Sequence, residues 1–129
     1  MARSQSLPGE KPLFWVGSAK GDLLEFPEVV VDEIGVALSV AQFGRKHPKA
    51  KPWKGEGPGV LEIVEDHRGD TYRAVYTVTF DHAIYMLHAF QKKSPKGRKT
   101  AQTDVELISR RLKTACEDYE ARYGKRSKS

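Results

Sequence analysis

The spacing of hydrophobic and polar positions changes several times along the chain, and each change marks an element. Leu13–Val16, LFWV, is a short apolar run ended by Gly17, which predicts a buried first strand. From Phe26 to Phe43 the positions Val30, Ile34, Ala37, Leu38 and Ala41 recur at i, i+4, i+7, i+8 and i+11, one continuous face of a helix. Pro27 suits the first helical turn, Glu28 complements the dipole there, and Gly44 is a natural stop. The β-branched Val29–Val31 and the internal Gly35 oppose a helix on propensity. A strand of this length would be unusual, so a helix is expected.

Val60–Asp66, Thr71–Phe80 and Ala83–Lys93 read as three strands, with turn signals at His67–Asp70 (HRGD) and Asp81–His82. The short turns imply an antiparallel meander. In the middle strand Tyr72, Ala74, Tyr76, Val78 and Phe80 share one face, and Arg73, Val75, Thr77 and Thr79 the other. In the last strand His88, Phe90 and Lys92 share a parity opposite to that of Leu87, Ala89, Gln91 and Lys93. Thr103–Tyr123 is the second helix, striped by Val105, Ile108, Leu112, Ala115, Cys116 and Tyr119, with Thr103 and Glu106 spaced as a capping box and Gly124 as its end. The expected architecture is therefore α+β: a small antiparallel sheet, a three-strand meander plus an N-terminal strand, with one helical layer packed on it. Residues 1–11 read as a flexible arm, 12–124 as a single domain and 125–129 as a basic tail.

Composition narrows the class. A chain of 129 residues suits one domain with a modest core. No apolar run approaches the roughly 20 residues needed to span a bilayer, and MARSQSLPGEK lacks the apolar core of a secretory signal. Cys116 stands alone, so neither an internal disulfide nor a cysteine zinc site is expected. His47, His67 and His82 have no ligand-like spacing, so no metal and no cofactor are assigned. The cytoplasm is the expected location.

Charge is segregated. The net charge is +5, but Leu24–Gln42 carries four acids and no Lys or Arg, whereas Arg45–Lys54 and Lys92–Lys99 are strongly basic. The second basic stretch follows a strand that neighbours another bearing Arg73. Such a place can hold a phosphate, because the guanidinium is planar, always charged and bidentate toward it. RNA is cut when its own 2′-OH attacks the adjacent phosphate, if the protein stabilises the added negative charge and moves protons at the 2′- and 5′-oxygens. Arg73, Lys92, Lys93 and His88 are the candidates for that chemistry, and Phe90 is a ring on which a base could stack. Each has a plainer reading: Arg73 as a salt-bridged strand residue, the lysines as a solubilising edge, His88 as a hydrogen-bonded sheet histidine, Phe90 as core. Trp53 fits either a stacking platform or the core.

In order along the chain, KPWKGEGPGVLEI (51–63), TYRAVY (71–76) and LHAFQKKSPKGRK (87–99) resemble segments of RelE/HigB-type toxins of type II toxin–antitoxin systems, specifically the phage-derived branch. The resemblance runs from about Leu13 to Tyr123. It implies a RelE-like fold with helices on one side of the sheet, and a metal-independent endoribonuclease (an mRNA interferase, a hydrolase) acting on mRNA in the ribosome. It also implies a helix-turn-helix antitoxin as partner, with operator DNA bound only through that antitoxin. By the same resemblance Arg73, Lys92, Lys93 and His88 are catalytic candidates, and Lys54, Phe90, Lys96, Arg98 and Lys99 are RNA-binding candidates. Two other functions fit the residues: a gyrase-inhibiting toxin similar to ParE, which needs no proton-transfer groups, and a non-catalytic nucleic-acid-binding phage protein.

Overall fold

The structure, a computed structural model, describes residues 8–92 and 101–125. Most of the expected arm, Lys93, Lys96, Arg98, Lys99 and all but the first residue of the tail lie outside the described residues.

The order of elements is β1 (Leu13–Trp15), α1 (Ala19–Leu24), α2 (Glu28–Gln42), β2 (Lys51–Pro52), β3 (Val60–His67), β4 (Asp70–Thr77), β5 (Ile84–Lys92) and α3 (Gln102–Tyr123). The strands form one sheet in the order β1-β5-β4-β3-β2. The β3–β4–β5 meander is antiparallel as expected, and β2 extends it antiparallel to β3. The N-terminal strand instead runs parallel to β5, with Leu13 opposite Ile84.

The helices do not form a single layer. α1 and α2 pack Leu23, Ile34 and Leu38 on one face of the sheet, against Ile63, Tyr76 and Met86. α3 packs Ile108, Ala115 and Tyr119 on the other, against Val75, Tyr85 and Leu87. The cause is β5, buried without interruption from Ile84 to Phe90, which presents apolar side chains to both faces. A sheet apolar on both sides needs cover on both.

Local chemistry explains the element ends. Arg68 and Gly69 both take positive φ, 52° and 87°, between the paired His67 and Asp70, a type I′ hairpin that matches strand twist. β4 stops at Thr77, earlier than expected, because the Thr79 N–H donates to the Thr77 hydroxyl oxygen and Val78 N–H turns to the Gly59 carbonyl. The turn carries Phe80 to the α3 side, away from the face of Tyr72, Ala74 and Tyr76. α1 had no predicted counterpart: six residues with Gly21 inside give no readable period. The expected capping box at the start of α3 is not formed. The helix begins at Gln102 with Ala101 as its cap, two residues before Thr103, and Glu106 accepts instead from Gln102 Nε2 at 3.2 Å.

Candidate nucleic-acid interface

The β3–β5 part of the sheet can be followed row by row on its α3 side. Directly opposed residues share a face. One row runs Lys51, Glu62, Val75, His88; the next Val64, Arg73, Phe90; the next Asp66, Thr71, Lys92. Three candidates from β4 and β5, Arg73, His88 and Phe90, are thus brought together, with Lys92 one row further toward the end of β5.

A bulge produces this alignment. Val75 pairs with His88 but Tyr76 pairs with Met86, so Leu87 is an extra residue in β5. Both Leu87 and His88 then serve the α3 side, where strict alternation had placed them on opposite faces. The bulged carbonyl is not left bare: Arg111 Nη1 of α3 donates to Leu87 O at 2.9 Å, and Nη2 donates to Ser18 Oγ at 2.9 Å. Burial lowers the Arg111 pKa, with Asp22 acting against that shift.

Two carboxylates that sequence reasoning missed hold the Arg73 and His88 side chains. Arg73 Nη1 donates to Glu62 Oε1 at 2.8 Å, and the two side chains are only 15% and 10% exposed. His88 Nε2 lies 2.8 Å from Asp104 Oδ1 in the first turn of α3. A carboxylate only accepts, so Nε2 carries the proton. The imidazole stacks on Phe90 with ring centroids 4.7 Å apart. The signal for Glu62 was present: alternation along β3 points it to the same side as Val60 and Val64, an acid between two buried or half-buried valines. Asp104 gave no signal, since its approach depends on where α3 begins.

Arg73 Nε and His88 Nδ1 are buried with no hydrogen-bond partner among the described residues. Each leaves polar capacity at the site that a ligand atom or water would satisfy. The guanidinium can offer a phosphate its remaining donors, and the imidazole can exchange a proton at Nδ1. Phe90 is buried, with one ring face covered by His88.

Trp53 is also buried, 6% exposed, and caps the α3-side core beside Val60. That settles it as core. Lys54 follows it, exposed, in the loop past β2 at the sheet edge, away from the Arg73 row. Lys51, in β2 opposite Glu62, is an exposed lysine on the row of the site that the sequence reading did not single out.

Two clefts lie elsewhere. One of about 260 Å³ sits between α1 and the ends of β4 and β5, rimmed by Asp22 and Glu25, acids that repel phosphate. Another of about 180 Å³ lies between β1 and α3, where Tyr85 Oη donates to Asp118 at 2.5 Å and Arg122 Nε donates to the same carboxylate at 2.7 Å. Those two donors depress the Asp118 pKa, while burial and the carboxylate raise that of Tyr85. Among the described residues no helix is long and apolar enough to cross a membrane, and no group of three or more His, Cys, Asp or Glu is gathered as a metal site.

Residues 21–113, from within α1 through the first half of α3, match the family model described as phage-derived protein Gp49-like (DUF891). The chain belongs to the Gp49-like family. The matched stretch contains every element of the site, including Glu62, Arg73, His88 and Asp104. The Gp49-like chain is also similar to a chain of the RelBE2 toxin–antitoxin complex from Mycobacterium tuberculosis. Identity there is 18% and the TM-score 0.43, over 70% of this chain and 100% of that one. A comparison with curated proteins gave no match.

Proposed function

We propose that this Gp49-like protein is the toxin of a type II toxin–antitoxin system and an endoribonuclease that cleaves ribosome-bound mRNA in the cytoplasm. The observation that carries the reading is the row Val64–Arg73–Phe90 beside His88: a largely buried guanidinium and an imidazole on one sheet face, each with an unpartnered nitrogen. The resemblance of LHAFQKKSPKGRK and TYRAVY to the phage-derived toxins supports the same reading.

In the proposed reaction the ribose 2′-oxygen attacks the adjacent phosphorus, the 5′-oxygen leaves, and a 2′,3′-cyclic phosphate forms. The 2′-proton is taken up by a base and a proton is returned to the 5′-oxygen. Arg73 gives up part of its interaction with Glu62 to the phosphate, offsetting the charge that builds on the phosphorane. His88, oriented through Nε2 by Asp104, exchanges a proton through Nδ1. Lys92 and Lys93 bind the phosphate or share in proton transfer, and Lys54, Phe90, Lys96, Arg98 and Lys99 contact RNA. The partner is a helix-turn-helix antitoxin, through which alone operator DNA is bound.

The test is primer-extension mapping of mRNA during induced expression, and on purified ribosomes. Wild type is expected to give discrete cuts and growth arrest, and Arg73→Ala to give neither while staying folded. Growth arrest with intact mRNA would overturn it. A second reading, a gyrase-inhibiting toxin without proton-transfer groups, draws on the closed Arg73–Glu62 pair, and a DNA-damage response with intact mRNA would favour it.

A further inference from the structure

Five large hydrophobic side chains are exposed among the described residues, and four of them, Leu24, Val29, Val36 and Phe43, lie along α1, α2 and the cap of α2. Val29, Val36 and Phe43 are spaced by seven residues. An α-helix drifts only about 20° over that interval, so they form one stripe. Val29 is 51% and Val36 52% exposed, and half-buried Val40 lies alongside. The stripe is not the core face of α2, because Val30, Ile34, Ala37, Leu38 and Ala41 already occupy the core. A helix needs one apolar face to fold onto a sheet. This one keeps a second after folding, the kind of surface that marks an interaction site.

Charge selects the occupant. From Gly21 to Gln42 there are five acids, Asp22, Glu25, Glu28, Asp32 and Glu33, and no Lys or Arg, on a chain of net charge +5. By helical geometry Asp32 and Glu33 fall on opposite sides of the Val29–Val36 stripe. Lys49, which feels the charge of Glu33, is itself bound to Glu65. This acidic rim repels a phosphate backbone, so the surface is not an extension of the Arg73 face. Apolar residues at a seven-residue interval suit the seam of another helix, and the acids suit Lys and Arg on its flanks.

We propose that the exposed face of α2, with Leu24, docks a basic amphipathic helix of a partner protein. α2 covers one side of the sheet and the Arg73 row lies on the other. Docking therefore leaves the Arg73 face open. This surface stands independently of the ribonuclease reading.

The test titrates isotope-labelled full-length protein with a synthetic amphipathic helix, leucines on one side and Lys/Arg on its flanks, and with the same peptide carrying Glu flanks. Amide shifts are expected to cluster between Leu24 and Phe43. Affinity is expected to fall about tenfold or more, 1.4 kcal/mol per decade, in Val36→Glu and in Asp32→Lys/Glu33→Lys, and to hold in Arg73→Ala. Val36 is exposed, and an unchanged thermal melt of Val36→Glu confirms that its fold is kept. No binding, shifts elsewhere, or equal binding of the Glu-flanked peptide would overturn the proposal. So would self-association abolished by Val36→Glu, which assigns the face to a second copy. Shifts at 24–43 on removal of residues 1–7 would overturn it too, by assigning the face to the chain's own arm.

Discussion

Arg73 and Glu62 meet diagonally across β4 and β3, Nη1 to Oε1 at 2.8 Å, with both side chains nearly out of water. A charge pair placed this way is held by mutual need: removing one partner strands the other, while replacing both with apolar groups is close to neutral. Glu62→Gln and Arg73→Met are each expected to cost about 3 kcal/mol, and the double variant Glu62→Leu/Arg73→Met to recover most of it. Urea denaturation of the four proteins measures the coupling.

Asp104 fixes His88 through Nε2, so the imidazole is expected to carry its proton there in the folded protein. Nitrogen chemical shifts of the ring should report that tautomer in wild type and lose it in Asp104→Ala. The stability cost of that substitution is about 1 kcal/mol, one net hydrogen bond. Under the proposed function, cleavage should fall in Asp104→Ala together with the change in His88.

Burial pushes the Tyr76 hydroxyl up to about 12 from its ordinary 10, and the group has no hydrogen-bond partner among the described residues. A raised folded-state value means that the folded protein holds the phenolic proton more tightly than the unfolded chain does. The associated stability is fully present below pH 10 and is lost as pH rises through about 12. Tyr76→Phe should lessen this alkaline loss without abolishing it, because Tyr85 is shifted the same way. At neutral pH it should gain about 1 kcal/mol by removing an unsatisfied hydroxyl. Chemical denaturation at pH 7 and across pH 10–12 checks both.

Gly59 takes φ +96°, and a Cβ there would stand 2.6 Å from Thr79 Oγ1 and 3.3 Å from Thr79 Cα. The loop and the end of β4 are pinned at the same place, since the Val78 N–H donates to the Gly59 carbonyl. Gly59→Ala is expected to cost about 2–4 kcal/mol from strain and overlap together. Gly57→Ala, also at positive φ but with open space around it, should cost less. Their melting temperatures, compared side by side, decide it.

Periodicity carried the larger elements because their residues repeat: the face Val30–Ala41 located α2, and HRGD located the hairpin. It failed where no repeat exists. α1 is too short, and the parallel partner of β1 lies across the sequence in β5. Alternation also placed Arg73 and Val75 together correctly, but the bulge at Leu87 reset the second half of β5, which no local pattern announces. The basic residues were visible at once. Their counter-ions were not, since Glu62 and Asp104 acquire meaning only through packing.

The pairing of Leu13 with Ile84 has a consequence for how the molecule comes into being. During synthesis the N-terminal strand leaves the ribosome long before the strand it must join, and so do α1 and α2 before the sheet that covers their core face. Contacts this far apart in sequence form late and slow folding. The Arg73 row therefore assembles only once nearly the whole chain has been made, and truncated chains that end before Ile84 should carry neither the fold nor the paired row Val64–Arg73–Phe90.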